Sequence, residues 1–347
     1  MSKIVLMISV LSIFLHSICV AENLKLSGYV EGYYGIYTPY DVHRYSSAVY
    51  HFNQVNEANI NHALLSAAYS HDRYRANISM HAGTYVDSNY VAEPDFWKSI
   101  FQANLGVKLS NRWWLDAGIF PSHIGFESAI GKDNWNLTRS LMAENSPYFE
   151  TGIKVTYSAS DDFSFSGMVL NGWQNISDTN SSKAFGTQLT FKPNSTLLFN
   201  YSTFIGNESP DNSSQTRYFN NFYVQFSLSP KINLATLFDF GLQKQTGMDE
   251  TSWYALALLG KYKINDKWQL GSRIEHYSDA DQVIVATNTN HGFQTSGVAF
   301  NMDYVITDYL VFRTEAKYLH SKDDVFFTES GMKNNAFIVM SSAAITF

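Results

Sequence analysis

The densest set of chemistry-bearing side chains lies in one stretch, Pro121 to Pro147, which reads PSHIGFESAIGKDNWNLTRSLMAENSP. It holds His123, Glu127, Lys132, Asp133, Arg139 and Glu144, interleaved with Ile124, Phe126, Trp135, Leu137, Leu141 and Met142. Such a segment can pack and present charges of both signs. Acids facing bases across a water-filled gap create a transverse field that orders water and discriminates solutes. Further charges alternate along single runs, as in Arg273/Glu275 and Arg313/Glu315/Lys317.

Catalytic chemistry is poorly supported. Ser122 stands beside His123, but adjacent side chains on an extended chain point apart, so they cannot act as nucleophile and base. The other histidines, including His62, His71, His81, His276, His291 and His320, are scattered. No HExxH, cysteine cluster, calcium-loop or glycine-rich phosphate motif occurs. The reading is therefore no catalytic residue, no metal and no cofactor.

The elements that carry these charges read in period two. In Phe101–Leu109 one face is Phe, Ala, Leu, Val, Leu and the other Gln, Asn, Gly, Lys. A strand alternates its faces in this way, so it has one apolar and one wet side. About sixteen strands are expected, with fourteen or eighteen left open. They start near Leu24, Glu57, Tyr74, Lys98, Trp113, Tyr148, Phe163, Ala184, Thr196, Tyr218, Ile232, Ser252, Trp268, Phe293, Leu310 and Asn335. Seven short Asn/Asp/Ser/Pro turns alternate with eight long polar loops, Pro121 to Pro147 being the longest and the third.

Composition agrees. The chain has 347 residues, 16% aromatic and 16% charged, with only 7 Pro, and its mean hydropathy is −0.18. Disorder and a bundle of membrane helices are both excluded. A sandwich would bury the apolar faces in a core, with short loops at both ends. Short turns at one end and long loops at the other describe a transmembrane antiparallel up-and-down barrel, closed because lipid offers no hydrogen bonds. Tyr69, Tyr74, Trp113, Trp114, Tyr157, Phe163, Phe191, Trp268, Tyr304 and Tyr309 cluster near the short turns, where an interfacial aromatic ring belongs. An even strand count puts both termini on the short-turn, periplasmic side. Sixteen strands predict an aqueous lumen rather than a filled interior.

Lys3, the apolar run Ile4 to Leu15 and Cys19-Val20-Ala21 read as a cleavable signal peptide over residues 1–21, leaving one domain over 22–347. Its removal takes away the only cysteine. The formal charge of −7 argues against a nucleic-acid partner. At the other end Phe337, Val339, Ser341, Ala343, Ile345 and Phe347 alternate outward, resembling the C-terminal strand signal read by the outer-membrane insertion machinery.

Parity places Lys25, Arg75, Lys108, Lys154, Arg273, Arg313 and Lys317 on the lumen wall, against Glu31, Asp116, Glu150, Asp239, Glu275, Asp303 and Glu315. The signs balance, which predicts weak ion selectivity. Each charge taken singly is expected to be solvated in the lumen.

Ala117 to Glu127, Asn134-Trp135-Asn136, Thr138-Arg139-Ser140 and Pro147 to Lys154 resemble the beta-barrel porin type two family, OmpL-like, over about residues 113–157. The resemblance implies a passive outer-membrane channel for small hydrophilic solutes in a Gram-negative envelope, embedded in outer-membrane lipid. It points to Gly125, Glu127, Asn134, Arg139, Ser140 and Gly152 as positions to test. Two placements of the third loop stay open: folded into the lumen as the constriction, or packed on the rim or a neighbour. General porins of sixteen strands are commonly trimers, and small outward residues such as Ala63, Ala67 and Ala68 suit a contact between copies. A receptor or adhesin acting through the long loops is the alternative.

Overall fold

A computed structural model describes residues 23–38, 44–211, 215–245, 247 and 249–347. The expected signal peptide lies outside them.

Alternating sequence becomes alternating strand faces. The strands are β1 (Leu24–Thr38), β2 (Ala58–Ser70), β3 (Tyr74–Ala82), β4 (Ile100–Ser110), β5 (Trp113–Pro121), β6 (Phe149–Ser158), β7 (Phe163–Leu170), β8 (Ala184–Asn194) and β9 (Leu197–Asn207). They continue as β10 (Gln215–Ser227), β11 (Ile232–Gln245), β12 (Thr251–Lys263), β13 (Trp268–Asp279), β14 (Phe293–Val305) and β15 (Leu310–Ser321). After these come a two-stranded hairpin, β16 (Phe326–Thr328) and β17 (Gly331–Lys333), and the last strand, β18 (Asn335–Thr346). All but the hairpin form one closed antiparallel barrel of sixteen strands, each paired with its sequence neighbours. Every expected strand start falls within three residues of an observed one.

β18 closes the ring by pairing with both β15 and β1, running from Tyr29↔Thr346 to Thr38↔Phe337 on the β1 side. At its foot Gly28 and Phe347 exchange backbone hydrogen bonds of 2.7 and 3.0 Å. The Phe347 ring lies over Gly28 in the space a side chain would take. An aromatic covering a glycine protects the backbone there.

The outer face is apolar, with exposed residues such as Leu65, Leu105, Ile153, Ile274 and Phe300. Near the short turns, aromatic pairs bridge neighbouring strands: Tyr69–Tyr74, Trp113–Tyr157 and Trp268–Tyr304, with ring centroids 5.9, 4.6 and 4.6 Å apart. Two expectations of facing are corrected. Trp114 points inward beneath Arg75 rather than joining the belt. Ala68 also faces the lumen, because Ala67 and Ala68 are neighbours on one strand and only Ala67 can point outward.

The interior is not a uniform wet wall. Toward the long loops the inward residues are apolar, among them Tyr37, Leu170, Phe204, Phe219, Trp253, Leu319 and Ile338. Tyr45, Val49, Phe52 and Val55 of the first long loop and Leu137, Leu141 and Met142 of the third pack against them. The expectation of an unfilled interior therefore fails in its outer half. Barrel width leaves room, but loops with enough apolar side chains occupy it.

Candidate functional site

Third-loop geometry starts where β5 ends. His123 Nδ1 lies 2.8 Å from Glu150 Oε2 and its Nε2 lies 2.8 Å from the Thr203 carbonyl. Ser122 Oγ donates to Glu150 at 3.3 Å, so Ser122 and His123 both turn to Glu150 and not to each other. Gly125 has φ 99°, a left-handed conformation suited to glycine, and its N–H donates to Asn221. The chain then folds into the barrel. Asn134 staples it: Ser128 N–H donates to Asn134 Oδ1 at 2.7 Å and Asn134 Nδ2 returns a bond to Ser128 at 2.8 Å. A short helix, α1 (Leu141–Glu144), follows, with Ser140 Oγ capping Ala143 N–H. Glu127 accepts both the N–H and the hydroxyl of Ser140.

The wall grips this loop through its backbone. Arg313, paired with Asp303 at 2.7 Å, donates to the carbonyls of Gly131 at 2.6 Å and Asn134 at 3.0 Å. Arg273 donates to the Thr138 carbonyl at 2.7 Å, while Glu315 accepts both the N–H and the hydroxyl of Thr138. Glu275 accepts the Leu141 N–H at 2.6 Å, and Lys317 reaches the Arg139 carbonyl at 3.3 Å. Arg273, Glu275, Arg313, Glu315 and Lys317 are each buried to within 3% of full exposure lost. They are not singly solvated, as sequence parity suggested. Desolvated charges persist only when paired and hydrogen-bonded, and here the loop backbone supplies the remaining partners.

The remaining expected residues fall in several places. Lys132 Nζ donates to Thr346 Oγ1 at 3.0 Å. Burial raises the Asp133 carboxyl above its usual range against the pull of Lys132 and Arg313. The Arg139 guanidinium stacks 3.6 Å above the Tyr148 ring. Asp239 is buried and accepts from Asn221 at 2.6 Å. Arg75, Asp116, Lys154 and the half-buried Lys108 sit apart, in the inner half of the lumen. Arg75 holds Asp116 through two bonds of 2.7 and 2.6 Å.

Sequence reasoning missed the first loop. Glu144 Oε2 accepts the N–H of Tyr50 at 2.7 Å and of His51 at 3.1 Å. Burial raises the Glu144 carboxyl, opposed by Arg139 and these two donors. Burial, then Arg139, pushes the His51 imidazole well below its ordinary value. The available signal was the apolar content of residues 45–55, unusual for a solvated loop. Among the described residues no three His, Cys, Asp or Glu side chains form a metal-holding group.

The closed sixteen-stranded barrel is shared with proteins of known structure. The family model described as "Putative beta-barrel porin-2, OmpL-like" matches residues 23–347. The chain belongs to this family. No curated protein sequence matches it. Among solved structures, an anion-selective porin from Comamonas acidovorans superposes with TM-score 0.63 at 9% identity, covering 93% of this chain and 99% of that one. Salmonella typhi OmpF, in complex with daunomycin, gives TM-score 0.63 at 11% identity, covering 94% and 98%. In-vitro folded OmpT from Vibrio cholerae, in a trimer form, gives 0.60 at 11%, covering 93% and 99%. At these identities the likeness is one of fold. Membership of the porin family and the barrel together place this chain among outer-membrane channels.

Proposed function

We propose that this porin is a passive channel for small hydrophilic solutes, with residues 121–147 forming its constriction. The observation that carries the reading is the clamp of the third-loop backbone by Arg273, Glu275, Arg313, Glu315 and Lys317. Their charges are spent on one another and on the loop, which favours weak ion selectivity. His123, Glu127, Lys132, Asp133, Arg139 and Glu144 then act as the framework that holds the constriction. Deleting residues 126–145 should raise single-channel conductance in planar bilayers; an unchanged conductance would end the constriction reading.

A receptor or adhesin is the second reading, favoured by the packed outer half of the interior. A purified barrel that passes no current, yet binds a surface through its long loops, would establish it. The assembly we propose is a homotrimer, supported by the outward Ala63 and Ala67; cross-linking in native membranes tests it. Cleavage after Ala21 predicts a mature chain starting at Glu22, checked by N-terminal sequencing. Removing Phe347 should lower assembly in cells more than folding into pure lipid, if the insertion machinery reads it.

A further inference from the structure

On the inner side of the third loop the lumen holds a cavity of about 370 Å³ between β2 and β6. Its roof is Phe120 and Pro121, and its wall carries Arg75, Asn77, Gln102 and Lys154. Unlike the charges that grip the loop, these retain unused bonding capacity. Arg75 spends Nε and one terminal nitrogen on Asp116, which leaves the other terminal nitrogen without a hydrogen bond among the described residues. The guanidinium is held flat, with Trp114 4.4 Å away on one side. Gly106 makes room for it, since a Cβ there would come within 3.0 Å of Arg75 Cγ and Nε. Lys154 Nζ lies 4.7 Å from the Phe120 ring centre and has no ion pair or hydrogen bond among the described residues. Asn77 and Gln102 donate through their amide nitrogens to Asn104 and Ser79, so their carbonyl oxygens stay free.

Two cations thus stand near two acids whose oxygens are already engaged, Asp116 by Arg75 and Glu150 by Ser122 and His123, next to free acceptors and an aromatic face. We infer that this cavity is a binding site for small hydroxylated carboxylates, of the sugar-acid kind, entered from the short-turn side. The carboxylate fits between Lys154 Nζ and the free nitrogen of Arg75. Hydroxyl groups donate to Asn77 and Gln102, and the ring or chain lies against Phe120. A neutral sugar would leave Lys154 and the free nitrogen of Arg75 without a charged partner, and an amino sugar would be repelled by them. The inference builds on the channel reading but depends on a separate set of residues.

Two measurements with glucuronate, glucose and glucosamine test it. In planar bilayers, glucuronate should block the open current at concentrations at least tenfold below glucose or glucosamine. In detergent, it should change the tryptophan fluorescence of the purified barrel through Trp114. Lys154→Met should weaken both effects tenfold or more, with block expressed as a fraction of the variant's own current, and Lys154→Arg should retain them. Equal responses to glucuronate and glucose, or an unaltered response in Lys154→Met, would overturn the inference. A fluorescence response without any current would keep the site and refute the channel.

Discussion

The carboxylate of Glu144 accepts the backbone N–H of Tyr50 at 2.7 Å, tying the third long loop to the first inside the barrel. The same oxygen takes the His51 N–H at 3.1 Å and the Tyr148 hydroxyl at 3.3 Å. One buried side chain therefore joins two loops and the start of β6.

Glu144→Ala removes this joint and leaves two backbone donors unsatisfied. Hydrogen bonds to a charged group contribute about 1.5–3 kcal/mol each. The expected outcome is a folded barrel with larger and noisier single-channel current, since the sixteen-strand ladder does not involve Glu144. A quiet channel of wild-type conductance would show that this joint does not limit the lumen.

Acid should loosen the same joint. His51 is buried with Arg139, Glu144 and His62 around it, and burial lowers its pKa from the ordinary 6.5. A lowered imidazole pKa means that the released loop binds the proton more readily than the packed one. The packed state is favoured above pH 6.5 and loses stability as pH falls below it, by up to about 1.4 kcal/mol per unit for one proton. Glu144, whose pKa is raised by burial, takes up a proton more readily in the packed loop than in the released one, so it opposes the His51 effect. Conductance measured from pH 7.5 downward should rise below 6.5, and His51→Gln should flatten that rise.

Arg313→Met removes the ion-pair partner of buried Asp303, which keeps only the Asn301 hydrogen bond and the nearby charge of Lys261, and frees the carbonyls of Gly131 and Asn134. Breaking one half of a buried pair costs about 3–5 kcal/mol. The double variant Asp303→Asn/Arg313→Met should recover part of that cost. The readout is urea-induced unfolding of the barrel in micelles, and additive effects of the two substitutions would contradict the coupling.

Gly118 and Gly152 oppose each other across β5 and β6. A side chain at Gly152 would meet the backbone of Val169 and Leu170 on β7, with Leu170 Cα 3.0 Å away. Gly118 has φ 125°, outside the range a side chain tolerates well. Gly152→Ala and Gly118→Ala should each destabilise the barrel by about 1–3 kcal/mol, by strain and overpacking. Refolding yield into lipid vesicles measures this, and Gly167→Ala, where a side chain meets open space, serves as the tolerant control.

Much of the barrel was legible because lipid and backbone chemistry act locally. Alternation along Ala103–Leu109, the turn residues and the paired aromatics each report their own strand, whereas a bulge turns Phe101, expected on the apolar outer face, inward against His62 and His81. Parity erred where neighbouring residues were treated alike, at Ala67/Ala68 and Trp113/Trp114, since only one of each pair can face lipid. It also could not see the bulge opposite Glu31, which sets both Asn61 and His62 on the inner side, where Asn61 donates to Glu31 at 3.1 Å.

The approximate strand number, barrel closure and which charged residues share the inward parity are read from sequence alone, because each follows from period, turn composition and parity. Which of those charges meet water is a property of the fold. Arg313 and Lys154 look alike in sequence, two cations on inward faces. The third loop, arriving from residues 121–147, buries Arg313 against Gly131 and Asn134 and leaves Lys154 beside an open cavity. Contacts between residues so far apart along the chain depend on where a long loop packs, and no local pattern encodes that.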